Sequence, residues 1–252
     1  MARALKNFFA VLAAFAAAGL AGYPLKAGFR ARAPEAASVR AAVGSGGLFA
    51  VLGGYRSLVA DFVWIKCYIN WEKKDISKCV SAMELACGLD PQMTMFWTQG
   101  ASILAFDIPH WLFGRLPQKL RTDEKFDSLK RRQARAAVEF IDKGIRLYPD
   151  SYELLVQKGQ IAISAKNFKL AEECFGRAAK LNDGFYARRI YAGLLAKNGK
   201  FAEAVNVLRA VLAEAEPDNP ARAAIEKQMR AAQALAAKTA PAKPAPNADK
   251  RP

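Results

Sequence analysis

The residues of this chain best suited to acid–base chemistry are Asp107 and His110, which stand three positions apart in the segment Asp-Ile-Pro-His-Trp. His110 is the only histidine among 252 residues, and a histidine beside a carboxylate is a common device for moving a proton near neutral pH. A metal centre or a nucleophilic triad needs further converging groups, which the neighbouring sequence does not supply. One interpretation of the pair is a cell-envelope enzyme subunit that uses these two residues alone for acid–base chemistry. The competing interpretation is a structural turn.

The sequence supports thiol chemistry and phosphate binding less well than it supports the Asp107–His110 pair. None of the four cysteines forms a Cys-x-x-Cys pair, so the pattern does not indicate a zinc ribbon or a thioredoxin-like site. The glycine-rich segment 44–47 lacks the Gly-Lys-Ser/Thr ending of a nucleotide-binding loop. We therefore predict no catalytic residue, no metal and no cofactor.

The elements that carry these side chains are indicated by small and large apolar residues that recur at a fixed spacing. The first set and its copy one repeat later are Gly159, Ala171, Phe175, Ala178 and Leu181, then Ala192, Ala204, Leu208, Val211 and Glu214. Small residues let two antiparallel helices approach closely where they cross, and a large residue fills the neighbouring gap. The spacing thus predicts two adjacent pairs of short helices over 150–217, followed by a capping helix over 218–238.

Two earlier helix pairs fit the same template over 59–149. In the later of these, the matching positions are Gly100, Ala137, Ile141, Gly144 and Leu147, with an insertion predicted at about 107–131. In the earlier one they are Val63, Cys67, Cys79, Met83, Ala86, Leu89 and Pro91. The template places Cys67 against Cys79, either as two buried thiols or as a disulfide.

The segment Tyr152 to Glu216 resembles the tetratricopeptide repeat family, and Asp183 and Glu214 depart from its usual pattern. The segments 53–56 and 60–64 resemble membrane-anchored bacterial repeat proteins of uncharacterised role. The resemblance implies an all-α fold, a right-handed α-solenoid of about four helix pairs. It also implies a scaffold that binds an unidentified protein or peptide through a concave groove.

In this family the exposed face of each first helix lines the groove. The corresponding residues are Trp64, Tyr68, Trp71, Trp97, Gln160, Tyr186, Arg189 and Lys197. An aromatic half beside a cationic half suits an amphipathic, acidic peptide. The alternative is that the tryptophans belong to the core. The lysine and asparagine clamp of chaperone-binding repeats is not reproduced.

Charge and hydropathy near the N-terminus indicate a membrane association. Residues 1–25 contain an uncharged run from Asn7 to Leu25, which is a membrane anchor or a cleaved signal peptide. We expect a single-pass protein of the bacterial inner membrane whose main domain is periplasmic rather than cytoplasmic. Residues 26–58 read as a tether, and 239–252 as a disordered tail.

The formal net charge is +15, and part of it is concentrated in the predicted insertion and its exit. The cluster comprises Arg115, Lys119, Arg121, Lys130, Arg131 and Arg132. On a membrane-tethered protein it is expected to meet phospholipid head groups, and a solvated helix face is the alternative. No RNA-binding or base-reading motif accompanies the charge, so nucleic-acid binding is disfavoured. The sequence does not indicate an oligomeric state.

Overall fold

The computed structural model describes residues 55–181, 184–216 and 218–239, and almost all of these residues lie in helices or the turns that join them. The all-α prediction is confirmed for this part of the chain. By its internal contacts the chain divides into two compact units, Met1–Ile161 and Ala162–Pro252.

Unit 1 is built from helix hairpins. Its helices are α1 (Arg56–Glu72), α2 (Ile76–Leu89), α3 (Thr94–Ser102), α4 (Ile108–Gly114), α5 (Asp123–Leu147) and most of α6 (Tyr152–Ser164). Side chains cap the first free amides of two of these helices, α2 and α5. Asp75 accepts from the Lys78 backbone N–H at 3.2 Å, and Thr122 Oγ1 accepts from Lys125 N–H at the same distance.

The predicted insertion at 107–131 is not a separate module. A π-helical turn, Ile103–Asp107, joins α3 directly to α4, and α5 is extended to 25 residues. Both helices of the second hairpin are therefore lengthened, and α4 packs against the start of α5. Pro109 explains the wide turn, because proline lacks an N–H and its ring crowds the carbonyl four residues earlier.

Glycines let the helices of the second hairpin meet closely, as predicted for Gly100 and Gly144. A Cβ placed on Gly144 would lie 2.8 Å from Cγ of the Trp97 ring. A Cβ on Gly100 would lie 2.7 Å from Cε1 of Phe140. The Trp97 and Phe140 ring centroids are 5.3 Å apart, so two rings and two glycines interlock.

Polar contacts tie α6 to this hairpin within unit 1. Gln157 Nε2 donates to Ser102 Oγ at 2.7 Å, and Lys158 Nζ donates to Asp142 Oδ1 at 2.7 Å. The Lys158–Asp142 pair is partly shielded from water, which reduces its screening by salt.

Unit 2 contains α7 (Phe168–Leu181), α8 (Phe185–Lys197), α9 (Phe201–Glu214) and α10 (Arg222–Thr239). Seven of the predicted repeat positions in these helices are completely buried: Ala171, Phe175, Ala178, Ala192, Ala204, Leu208 and Val211. Leu181 is exposed instead, because it is the last residue of α7.

The predicted cap helix is present as α10, which begins at Arg222. Its Ile225 and Ala232 are buried against α8 and α9. Asn219 Oδ1 accepts from the Ala221 backbone N–H at 2.9 Å, as expected of a residue that caps a helix start. Glu214, which departs from the family pattern, pairs with both terminal nitrogens of Arg188, so an acidic residue is stabilised there.

None of the helices within the described ranges has the length and apolar character needed to cross a bilayer. The predicted anchor at 1–25 and most of the tether at 26–58 lie outside these ranges, and so does the tail beyond Thr239. The last residues of the predicted tether belong to α1, which begins at Arg56.

Candidate peptide-binding groove

A groove of about 450 Å³ runs along α8 in unit 2. It is lined by the ends of α6 and α7, one face of α8 and one residue of α10: Ile163, Phe168, Tyr186, Arg189, Ile190, Gly193, Leu194, Lys197 and Gln228. Three residues expected at a groove from the sequence, Tyr186, Arg189 and Lys197, therefore lie together. The volume is that of a small ligand pocket, enough for a few side chains of a peptide.

Two cations stand in this largely apolar lining. The Arg189 Nε–H is buried and has no acceptor within the residues that the structure describes. Lys197 Nζ lies 4.1 Å from the centre of the Phe168 ring, a cation–π contact that holds its ammonium at one end of the groove. The arrangement offers an anionic group two positive partners beside apolar walls.

A polar network fixes the end of α8 from which Lys197 projects. Glu172 accepts hydrogen bonds from Asn198 Nδ2 at 2.6 Å and from Lys200 Nζ at 2.5 Å, and Asn198 also donates to the Phe168 carbonyl at 3.2 Å. Burial of Glu172 favours its neutral form, but these hydrogen bonds outweigh the burial and hold the pKa of the carboxyl below its usual value. Glu172 thus remains an anion that holds Asn198 and Lys200 at the end of α8.

The capping helix closes the other side of the groove. Gln228 Nε2 of α10 donates to the Arg189 carbonyl at 3.0 Å. Gly193 allows this approach, because a Cβ there would lie 3.1 Å from the same amide nitrogen. Gln228 therefore holds the backbone of the helix turn that carries Arg189.

The aromatic half of the expected groove is not where the sequence placed it. Trp64 and Trp97 are only 4% and 6% exposed, and we correct their assignment to a partner-binding face. Trp64 stacks on Phe96 with ring centroids 4.9 Å apart, and Trp97 packs on Phe140. Each tryptophan fills the space between two helices of unit 1, which is the alternative that the sequence left open.

The remaining expected groove residues of unit 1 are more accessible. Tyr68 is exposed and meets the edge of Trp64. Trp71 is partly exposed, but its Nε1–H donates to Asp107 Oδ2 at 2.8 Å and its ring meets Trp111. Gln160 is half-buried on α6 and does not line the groove described above.

Asp107 and His110 have structural contacts rather than a shared catalytic geometry. Asp107 accepts from Trp71, whereas His110 Nδ1 donates to the Phe106 carbonyl at 2.7 Å and the His110 ring packs on Phe126. The Phe106 oxygen can only accept, so the proton of a neutral His110 sits on Nδ1. No group of three or more histidine, cysteine, aspartate or glutamate side chains within the described ranges could hold a metal ion.

The cysteines are arranged as a packing contact. Cys67 and Cys79 face each other as predicted, as free thiols with their sulfur atoms 3.4 Å apart. The hydrogen bond to Cys79 and burial raise the pKa of Cys67, and burial raises that of Cys87. A thiol that resists ionisation is a poor nucleophile, so these shifts indicate a structural role for Cys67 and Cys87.

Half of the predicted basic patch is engaged within unit 1. Arg115 donates to the Lys74 carbonyl, and Arg121 donates to the Gly114 and Leu116 carbonyls. Lys130 pairs with Asp127 at 2.6 Å and lies over the Phe126 ring. The exposed cations left to face a surface are Lys119, Arg131 and Arg132.

Comparisons with known proteins bear on the helix repeats. Residues 152–184 match the family model described as tetratricopeptide repeat, which supports that interpretation for α6 and α7. No curated protein matches significantly. Among solved structures, the crystal structure of yeast Tom70 is similar at 16% identity with a TM-score of 0.34. That alignment covers 77% of this chain and 44% of the Tom70 chain, so this chain spans less than half of its length.

Proposed function

We propose that this protein is a tetratricopeptide-type scaffold that binds another protein through the groove of unit 2, without chemistry of its own. The observation that carries the proposal is the Arg189 guanidinium in an apolar groove, with a buried Nε–H that no described residue accepts. A buried donor left unpaired costs about 1–3 kcal/mol. A carboxylate that enters the groove would remove this cost once the guanidinium turns toward it, because Nε–H is out of contact with solvent in this conformation, and it would also meet Lys197.

The apolar lining defines the rest of the ligand. Phe168, Ile190 and Leu194 form walls beside the two cations. A peptide with an aliphatic or aromatic side chain next to an acidic side chain satisfies both parts of the groove. Lysine-rich peptides do not, because they offer no acceptor to Arg189. Wholly polar peptides do not, because they leave the apolar walls exposed to water.

Selection of random ten-residue peptides displayed on phage against the full chain tests this proposal. We expect enriched peptides to carry Asp, Glu or a free C-terminus beside an apolar residue. Arg189→Ala and Lys197→Ala should each weaken binding of an enriched peptide by about 10-fold or more, as expected for losing a charge-assisted hydrogen bond. Fluorescence anisotropy of the labelled peptide measures the affinity.

Arg209→Ala is the matched control, since it removes one positive charge from an exposed position on α9, where Arg209 donates a hydrogen bond to Asn206 of the same helix. It should leave peptide affinity unchanged. Equal losses in all three variants would show that only net charge matters. Enriched peptides without a carboxylate, or affinities that Arg189→Ala does not change, would contradict the groove proposal.

We also propose that the segment Asn7–Leu25 holds the scaffold at the bacterial inner membrane, with the helical units on the periplasmic side. The run has no charged residue and is close to the ~20 residues of a spanning helix. Wild-type chain should stay in the membrane pellet during alkaline carbonate extraction, and Ala13→Arg with Ala16→Arg should release it. Recovery of the wild type in the supernatant would refute the anchor.

A further inference from the structure

Helix α1 has an apolar stripe on the side that faces solvent. Leu58, Phe62, Ile65 and Ile69 are 44–61% exposed and follow one another at spacings of four, three and four residues. Residues at these spacings lie on one face of a helix. Their face is opposite to that of Ala60, Trp64 and Cys67, which are buried against the rest of unit 1.

A helix that is apolar on two opposite faces is normally covered on both. The second face of α1 is covered by no described residue, since its four large side chains are about half exposed. Contiguous exposed apolar patches of this kind mark interaction sites in soluble domains.

The alternating spacing is that of the seam of a two-stranded coiled coil. In heptad notation Phe62 and Ile69 occupy a positions, and Leu58 and Ile65 occupy d positions. Asp61 then falls at g and Lys66 at e, one on each side of the seam. Glu72, at the next d position, ends the seam.

The flanking charges indicate the partner. In a parallel pair, each g residue faces the e residue five positions later on the other helix. Asp61 therefore faces Lys66 of an identical helix, and symmetry repeats this contact on the other side. An antiparallel pair would place Asp61 near Tyr68 and Lys66 near Val59, which leaves both charges without a complement.

We propose that α1 is a parallel dimerisation helix, which pairs with α1 of a second copy of this chain. The seam is formed by Leu58, Phe62, Ile65 and Ile69, and the orientation is fixed by the reciprocal Asp61–Lys66 pairs. Neither Asp61 nor Lys66 has an ion-pair partner among the described residues, so both are available to a second copy. The parallel arrangement places the N-terminal ends of the two α1 helices side by side.

Sedimentation velocity of the full chain in mild detergent tests the pairing with charge-swapped variants. The wild type should dimerise over a dilution series. Asp61→Lys alone and Lys66→Glu alone should each dissociate about 10-fold more readily, because both interhelical pairs become like-charged. An equimolar mixture of the two variants should regain wild-type affinity, since the new cation of one faces the new anion of the other.

Ile65→Lys separates this seam from other ways of associating. It places a charge in the seam at an exposed position, so the variant should keep its far-UV circular dichroism and become monomeric. A variant that stays dimeric would show that another surface, such as residues 1–54, joins the copies, and would overturn the proposal. So would a monomeric wild type, or a mixture that fails to recover.

Discussion

Replacement of Trp97 by alanine is expected to lower the free energy of unfolding by about 3–5 kcal/mol, as for other buried tryptophans. Its ring is 6% exposed, packs on Phe140 and covers Gly144, and its Nε1–H donates to the Pro91 carbonyl at 3.0 Å. Removal leaves a cavity between α3 and α5 and an unpaired carbonyl. Urea denaturation followed by circular dichroism measures the change.

Trp71→Ala is the comparison variant for this experiment. Trp71 is partly exposed and its contacts, to Asp107 and Trp111, lie at the surface. We expect a loss of about 1 kcal/mol, the usual contribution of one hydrogen bond. Equal, small losses of unfolding free energy in both variants would show that Trp97 is accessible, and Trp97 would again be a candidate partner-binding residue.

Gly144→Ala is expected to destabilise unit 1 by about 1–3 kcal/mol, although alanine is the better helix former by about 1 kcal/mol. The new Cβ would lie 2.8 Å from Cγ of Trp97, the atom that anchors the ring and cannot swing away. All four tryptophans of the chain belong to unit 1, so their fluorescence reports its unfolding separately.

A double-mutant cycle shows whether the ring is the cause. In a Trp97→Ala background the obstacle is gone, and Gly144→Ala should become neutral or favourable by up to about 1 kcal/mol. Gly114→Ala serves as the control, because a Cβ there meets no atom within 4 Å. If Gly144→Ala costs the same in both backgrounds, the close contact with Trp97 does not determine the residue at 144.

The helix pairs could be predicted from the sequence because they depend on the spacing of small and large residues along each helix. Alanine and glycine at crossing points fixed which faces meet, and the structure buries Ala171, Ala192 and Ala204 accordingly. The side of a helix on which an aromatic residue ends up depends on its neighbours instead. Trp64 was expected in a groove, but Phe96, 32 residues later, provides the surface on which it stacks.

Only the groove residues that share one helix could be predicted from the sequence. Tyr186, Arg189 and Lys197 lie on one helix, so their shared face follows from helical periodicity. Phe168 and Gln228 join them from α7 and α10. The backbone contact between Gln228 and Arg189 spans 39 residues, and no spacing rule within a single helix reaches that far.

The extended hairpin was missed because two helices were lengthened together. When both helices of a repeat are longer than usual, the extra residues fall between the expected repeat positions and resemble an insertion. The apolar pattern of α5 continues through the predicted insertion at 107–131, where Phe126 contacts Phe113. Asp123 and Glu124, behind the Thr122 cap, were the available signal that a helix begins there.

The π-helical turn Ile103–Asp107 changes the rotational phase of the chain. It holds one residue more than an α-helical turn, so the side chains that follow are displaced by about 100° around the axis. In this phase α3 and α4 both contact α5, and Trp111 also meets Trp71 of α1. Shortening the turn by one residue would rotate Trp111 away from Trp71. One added residue thus lets a single helical segment serve two neighbours that lie in different directions.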